Sequence, residues 1–147
     1  MQGRWKFVGL LGVVMAILCF SSTVFAAKEM FTDTADIEVL KAYGIGITNG
    51  TSETTFTPDA LITREQMATM MTRALTQAKI NTAVDLTKVK KFADDEKMHE
   101  WGRASIYYMS NIEIIKGVGD NTFDVEGNAT REQALLISER SAEKFVK

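Results

Sequence analysis

Apolar residues recur at helical spacing after Thr63, and this segment is the best-patterned part of the chain. Thr63 and Gln66 have the spacing of a capping box, in which each side chain accepts from the other residue's backbone N–H. A methionine-rich face at helical spacing is typical of a core rather than of a metal or cofactor site. We therefore predict a helix whose inner face consists of Met67, Met70, Met71, Ala74, Leu75 and Ala78.

A second apolar stripe predicts another helix, with Asp94 or Asp95 as its N-cap and Asn111 near its end. The stripe consists of Met98, Trp101, Ser105 and Tyr108. Thr130 and Gln133 repeat the capping box and predict a further helix start. The pattern therefore predicts a mainly all-α fold.

The pattern occurs twice. Sliding the chain by 67 residues superposes Thr63-Arg-Glu-Gln66 on Thr130-Arg-Glu-Gln133 and Thr55-Phe56 on Thr122-Phe123. Upstream, Phe31-Thr-Asp33 and Phe92-Ala-Asp94 correspond at a shift of 61, so the first copy lacks six residues. Its leading helix is accordingly predicted to be short, with Ile37 and Leu40 as its apolar anchors and an end at Gly44-Ile-Gly46. We predict two helix–loop–helix repeats packed together, over 27–80 and 92–147, joined by a polar connector over 81–91.

Residues 1–26 are predicted to be a cleaved secretory signal. Arg4 and Lys6 precede an uncharged apolar run from Phe7 to Phe20, and Val24-Phe-Ala26 places small residues before the predicted cleavage site. The alternative is an uncleaved signal anchor, which the apolar run disfavours because it is shorter than the roughly 20 residues that span a bilayer.

Composition narrows the function. The chain has 147 residues, a formal net charge of −2, one His and one Cys. This charge disfavours nucleic-acid binding, which needs a clustered basic surface. A single Cys and a single His are too few ligands for a zinc finger, so this class is excluded. Cleavage after Ala26 removes the only Cys, Cys19, so no disulfide supports the core.

These motifs together resemble the S-layer homology (SLH) family, whose modules hold proteins on bacterial cell walls. In the first copy the resemblance rests on Gly46-Ile-Thr-Asn-Gly50, Thr55-Phe-Thr-Pro58 and Ile62-Thr-Arg-Glu-Gln66. In the second it rests on Phe92-Ala-Asp94, Trp101, Ile114-Ile-Lys-Gly117, Asp120-Asn-Thr-Phe123 and Ala129-Thr-Arg-Glu-Gln133. The first copy departs from the family pattern, since Glu53 replaces the loop Asp and the leading Trp is absent.

The resemblance implies non-covalent binding of a secondary cell-wall polysaccharide, often one with a pyruvate ketal on a terminal sugar. Arg64 and Arg131 are the expected partners of a carboxylate, since each begins a helix whose dipole favours an anion. Trp101 is the expected sugar-stacking ring. The adjoining loops are expected to contribute Gly50, Gly117, Asp120 and Lys116.

Each of these residues also has a structural interpretation. Arg64 and Arg131 are alternatively paired with acidic groups of a neighbouring helix, and Trp101 is alternatively a core residue. Gly50 and Gly117 fit turn positions with positive φ. The acidic residues Asp33, Asp94 and Asp95 are expected to cap helices.

Partners follow from the same resemblance. The family commonly uses three modules around a pseudo-threefold axis, and two are recognisable here, so other SLH chains or further copies of this chain are candidate partners. Neither nucleic acid nor, after signal cleavage, a membrane is expected. The alternative function is a secreted structural protein whose repeats dock on other surface-protein chains.

An enzymatic function is not expected. His99 is the only His, and it lies among charged residues typical of a solvated helix face. No Ser, Cys or Asp is visibly placed to use it as a base. The sequence predicts neither a catalytic residue nor a cofactor or metal site.

Overall fold

A computed structural model describes residues 31–145, which form four α-helices and no named strand. The helices are α1 (Ile37–Gly44), α2 (Arg64–Gln77), α3 (Glu100–Asn111) and α4 (Arg131–Phe145), with a short 3₁₀ helix over Asp95–Lys97. The prediction of a mainly all-α fold is confirmed for this part of the chain. The predicted signal, residues 1–26, lies outside the described residues.

Both predicted capping boxes are present. Thr63 Oγ1 accepts from the Gln66 N–H at 3.2 Å, and Gln66 Oε1 accepts from the Thr63 N–H at 3.0 Å. The pair Thr130 and Gln133 repeats this exchange at 3.1 and 3.3 Å. Each box satisfies backbone donors that a helix start otherwise leaves without partners.

The aspartates expected at helix starts lie elsewhere. Asp36 caps α1, accepting from the backbone N–H groups of Glu38 and Val39. His99 precedes α3 without a capping side-chain bond of its own, and Asp94 makes none at the 3₁₀ helix. Asp95 accepts from the Tyr107 hydroxyl at 2.8 Å. The prediction of Asp33, Asp94 and Asp95 as helix caps is therefore wrong.

The chain divides into two compact units, one ending at Pro58 and one beginning at Asp59. The first contains α1, whose Leu40 is buried, and an aromatic cluster around the buried Phe31. The Phe31 ring centroid lies 4.9 Å from that of Tyr43 and 5.7 Å from that of Phe56. These contacts bring the segment before α1 onto the loop that follows it.

The second unit contains α2, α3 and α4, with α2 packed against α3. Helix α2 belongs to the first sequence repeat, yet it lies in this unit. The core includes Met67, Ala68, Leu75, Met98, Ile106, Tyr107, Met109, Ile114, Ile115, Phe123, Val125 and Ile137. The predicted inner face of α2 is confirmed at Met67 and Leu75, and Met71 packs against the core partly buried.

Candidate functional site

The loop that follows α3 is held by a single carboxylate. Asp94 Oδ1 accepts from the Phe123 N–H at 2.9 Å, and Oδ2 accepts from the N–H groups of Asp124 and Val125 at 2.8 and 3.3 Å. Partial burial acts to raise the pKa of Asp94, but these backbone donors favour the ionised form and the net pKa is lowered. The charged carboxylate thus fixes the backbone of the loop.

The first unit repeats the arrangement. Asp33 accepts from the backbone N–H of Phe56 at 2.9 Å and from that of Thr57 at 2.7 Å. These bonds lower the pKa of Asp33. Thr57 and Asp124, 67 residues apart, have φ values of 54° and 65°. The two loops therefore share a local geometry as well as a sequence pattern.

Gly50 and Gly117 occupy equivalent loop positions, but for different physical reasons. Gly50 has a φ of +74°, and a Cβ there would lie 2.5 Å from the Phe31 ring, so the turn expectation is confirmed. For Gly117 the positive-φ expectation is wrong, because positive φ occurs instead at Gly119, Asp120 and Asn121. A Cβ on Gly117 would lie 2.6 Å from the Thr122 carbonyl oxygen, so close backbone approach requires the glycine.

Arg64 is buried beneath the second loop. It is 3% exposed, and its Nε and Nη2 donate to the carbonyl oxygens of Phe123 and Lys116 at 2.8 and 2.7 Å. Its Cζ lies 4.8 Å from the centroid of the Phe123 ring, and desolvation lowers the pKa of the guanidinium. The expected pairing with an acidic side chain is absent from the described contacts, and burial leaves this guanidinium inaccessible to a polymer.

Arg131 occupies the same motif position in the second copy but is exposed at the start of α4. Lys116 and Asp120 also present exposed side chains on the second loop. Within residues 31–145, the side chains of these three residues take part in no hydrogen bond or ion pair, although the backbone carbonyl oxygen of Lys116 accepts from Arg64. These three side chains are consequently available to a ligand, whereas the Arg64 guanidinium donates its hydrogen bonds to the backbone of the loop.

Trp101 lies on the surface at the start of α3. It is 50% exposed, so the core alternative is wrong. The His99 ring stacks on it, with a centroid separation of 5.3 Å and an interplanar angle of 22°. His99 is not simply solvated, since its Nδ1 lies 2.7 Å from Oε2 of the buried Glu65. An exposed indole is thus held beside a second aromatic ring.

The predicted site residues are only partly brought together. Arg64, Lys116 and Gly117 belong to or contact one loop, and Gly50 belongs to its counterpart in the other unit. Beside Gly50 is an open depression of about 700 Å³ lined by Tyr43, Asn49, Gly50, Thr51, Ser52, Glu53 and Thr54. A smaller one of about 400 Å³ is lined by Ala93, Asp94, Glu96, Lys97 and Thr122. In the described residues no hydrogen bond or ion pair joins Trp101 or Arg131 to these loops.

Two contributors were missed by sequence reasoning: the loop-holding role of Asp33 and Asp94, and the pairing of Glu65 with His99. The first had a usable signal, because a Phe-x-Asp motif precedes each of the two loops. The second had none, since Glu65 and His99 are 34 residues apart and the repeat pattern contains no second copy of the pair. In the part of the chain that is described, no cluster of acidic, His or Cys side chains is placed to hold a metal ion.

Comparison with known proteins gives the family. The model of the S-layer homology domain matches residues 31–68 and 91–135, more than half of the chain. The chain belongs to the S-layer homology family. Each of the two matched segments contains one loop held by an aspartate. The two SLH repeats therefore correspond to the two loops that share a local geometry.

The SLH relatives are much longer proteins. A cell surface protein of Thermoanaerobacter kivui is 27% identical over 93% of this chain and 18% of its own length. An amylopullulanase of Thermoanaerobacterium thermosulfurigenes is 34% identical over 65% of this chain and 5% of its own. An endoglucanase of Bacillus sp. strain KSM-635 is 29% identical over 68% of this chain and 10% of its own. The chain therefore spans less than a fifth of the length of these curated relatives.

No solved structure matches the chain. The SLH match and the surface-protein relative indicate a protein of the bacterial cell surface, associated with the cell wall. Of the helices within residues 31–145, none combines the length and apolar character needed to span a membrane.

Proposed function

We propose that the chain anchors to the cell wall by binding its secondary polysaccharide without a covalent bond. The half-exposed Trp101 carries this proposal, because a large amphipathic ring held at the surface is suited to pack against the face of a sugar. Arg131, Lys116 and Asp120 supply exposed charged and polar contacts, while Gly50 and Gly117 each let the backbone of its own loop pack closely. A pyruvylated polymer offers a carboxylate for the two-pronged donor of Arg131.

Arg64 has a supporting role in this proposal. Its buried guanidinium fixes the carbonyl oxygens of Lys116 and Phe123, which shapes the loop that presents Lys116 and Asp120. The carboxylate-binding role expected for the two arginines is therefore proposed for Arg131 alone.

Co-sedimentation with purified wall sacculi tests the function. The segment Ala27–Lys147 is mixed with intact sacculi and with sacculi stripped of secondary polysaccharide by acid. We expect retention on intact walls only. Equal retention on both preparations would contradict the proposal and would point to bare peptidoglycan.

Matched variants locate the site on intact walls. Trp101→Ala is expected to reduce retention at least about tenfold, as loss of a central aromatic contact does. Arg131→Ala is expected to reduce it less, and Lys144→Ala, which removes one exposed positive charge from the same helix, is the control. If Trp101→Ala and Arg131→Ala both fold and bind like the parent chain, the site assignment is wrong.

One observation favours the second candidate function, docking of the repeats on other surface-protein chains. The start of α2 is covered, with Arg64, Glu65 and Ala68 each at most 3% exposed. Their counterparts on α4 are Arg131, Glu132 and Leu135, which are exposed, Leu135 at 69%. In this alternative, the start of α4 is covered by an SLH repeat of another chain.

Sedimentation velocity separates the two candidates. Concentration-dependent association that Leu135→Glu abolishes, together with no retention on walls, would favour docking. Retention on intact walls by a monomeric chain would favour the anchoring function.

A further inference from the structure

A buried carboxylate lies behind the exposed Trp101 ring. Glu65 on α2 is 2% exposed. Its Oε1 accepts from the backbone N–H of His99 at 2.8 Å, and its Oε2 lies 2.7 Å from Nδ1 of the His99 ring. A carboxylate is costly to bury unless such bonds replace its hydration. The two bonds therefore tie both the backbone and the ring of His99 to helix α2.

This anchoring defines the chemistry of the exposed His99 edge. Nδ1 of the ring faces Glu65, so Nε2 is the polar atom that remains on the other edge of the ring. The His99 side chain is 58% exposed. Its ring stacks on Trp101 with an offset, leaving half of Trp101 exposed as well. An apolar ring surface thus lies beside a polar ring nitrogen of fixed orientation.

We propose that His99 and Trp101 together form a sugar-binding platform, with Glu65 as the residue that positions it. The inference rests on the proposed polysaccharide function and extends it by naming a second contact residue. Trp101 packs against the face of a pyranose ring, and His99 Nε2 forms a hydrogen bond with a hydroxyl group at the edge of that ring. The recognised chemistry is a neutral hydroxylated sugar, separate from any carboxylate bound by Arg131.

The platform combines Glu65 of the first repeat with His99 and Trp101 of the second, and the chain does not reproduce it with the equivalent residues. Glu132, the counterpart of Glu65 on α4, is exposed, and the first copy has no Trp in its leading helix. Gly102 explains how Glu65 fits, because a Cβ at this position would lie 2.5 Å from Cγ and Oε1 of Glu65. The close approach of α3 to Glu65 is therefore particular to the contact between α2 and α3.

Trp101 fluorescence tests the positioning role without any ligand. The full chain has two Trp, so Trp5→Phe leaves Trp101 as the only indole fluorophore. In this background His99→Ala and Glu65→Gln are expected to lower the anisotropy of Trp101 and to increase its quenching by acrylamide. Glu132→Gln makes the same chemical change at the matched exposed position and is expected to alter neither. Far-UV circular dichroism confirms that each variant is folded.

Wall retention of the same full-chain variants tests the contact role. His99→Ala is expected to reduce retention on intact sacculi at least about tenfold. His99→Phe keeps an aromatic partner for Trp101 but lacks both Nδ1, which faces Glu65, and Nε2, so it is expected to lower the Trp101 anisotropy as Glu65→Gln does and to reduce retention further than Glu65→Gln, because the Nε2 contact is lost as well. Glu65→Gln is expected to give an intermediate loss, and Glu132→Gln none.

The outcomes separate this inference from the proposed function. If the parent chain is not retained on walls, the polysaccharide function fails, and the platform fails with it even where the fluorescence shows that Glu65 and His99 order Trp101. If the parent is retained and His99→Phe binds equally well, His99 makes no sugar contact and the inference is overturned. Unchanged anisotropy in both His99→Ala and Glu65→Gln would overturn the positioning role of Glu65.

Discussion

Single carboxylates fix the loops of this SLH chain. The carboxylates of Asp33 and Asp94 each accept hydrogen bonds from backbone N–H groups of a loop distant in the sequence. These charge-assisted bonds take the place of bonds to water and hold the loop backbone next to the carboxylate. The aspartate of Phe-x-Asp is thus a loop clamp rather than a helix cap. Its presence before both loops shows that the same device holds each of them.

Asp94→Ala is expected to destabilise the second unit by about 2 kcal/mol near neutral pH, because three backbone donors lose a charged acceptor. The pKa of folded Asp94 lies below its ordinary value of 3.8. Its stabilising contribution is therefore present above that value and is lost as the pH falls through the folded pKa.

Thermal unfolding followed by circular dichroism from neutral to strongly acid pH measures this effect. The difference in Tm between the parent and Asp94→Ala is expected to have its largest value at neutral pH and to disappear well below pH 3.8. A difference that persists unchanged in strong acid would show that the carboxylate charge is not what stabilises the loop.

Arg64→Ala is expected to lower the free energy of unfolding by about 3 kcal/mol. The substitution leaves two loop carbonyls without their donor and removes a cation from the Phe123 ring. Arg131→Ala is the matched control, because the same residue type at the same motif position is exposed, and we expect an effect within about 0.5 kcal/mol. Urea unfolding measures both, and equal effects would contradict the assignment of Arg64 as a buried support.

Helices were predictable where the forces that define them are local. The capping boxes at Thr63 and Thr130 involve residues three apart, and the Gly44-Ile-Gly46 stop coincides with the end of α1, so the sequence is enough to locate them. The start of α3 was not predictable in this way. It depends on Glu65, which belongs to another helix and accepts from the His99 N–H. The predictions for Asp94 and His99 were wrong for the same reason, because the hydrogen-bond partners of both residues are distant in the sequence.

Gly102→Ala tests the close contact between α2 and α3. The added Cβ would lie 2.5 Å from the buried Glu65 side chain, so Glu65 must move and weaken its bonds to His99. We expect a loss of about 1 to 3 kcal/mol, as for other overpacked positions. Gly44→Ala in α1 is the control, since a Cβ added there would meet no neighbouring atom within 4 Å.

Chemical denaturation of both glycine variants measures the difference. Ala is the better helix former, so Gly44→Ala is expected to be neutral or slightly stabilising. Full stability of Gly102→Ala would mean that α2 and α3 separate easily and that Glu65 does not hold His99 rigidly.

Across the whole chain, charge and stacking contribute differently to the proposed binding of the wall. The net charge is −2, so attraction of an anionic polymer depends on local cations rather than on the overall field. Arg131 and Lys116 are exposed and therefore subject to screening by salt, whereas the Trp101 contact is apolar. The two contributions can accordingly be separated by ionic strength.

Retention on intact sacculi is expected to fall as salt rises from about 0.01 M to about 1 M, over which the screening length shrinks from about 30 Å to about 3 Å. Arg131→Ala should bind more weakly at low salt and show a flatter salt dependence, because one screened contact is already absent. Trp101→Ala should show weaker retention than the parent at every salt concentration, while its retention should decrease with salt as steeply as that of the parent. Co-sedimentation across the salt series measures all three chains. A parent chain whose retention is insensitive to salt would remove Arg131 and Lys116 from the binding site and leave Trp101 and its neighbours as the principal contact.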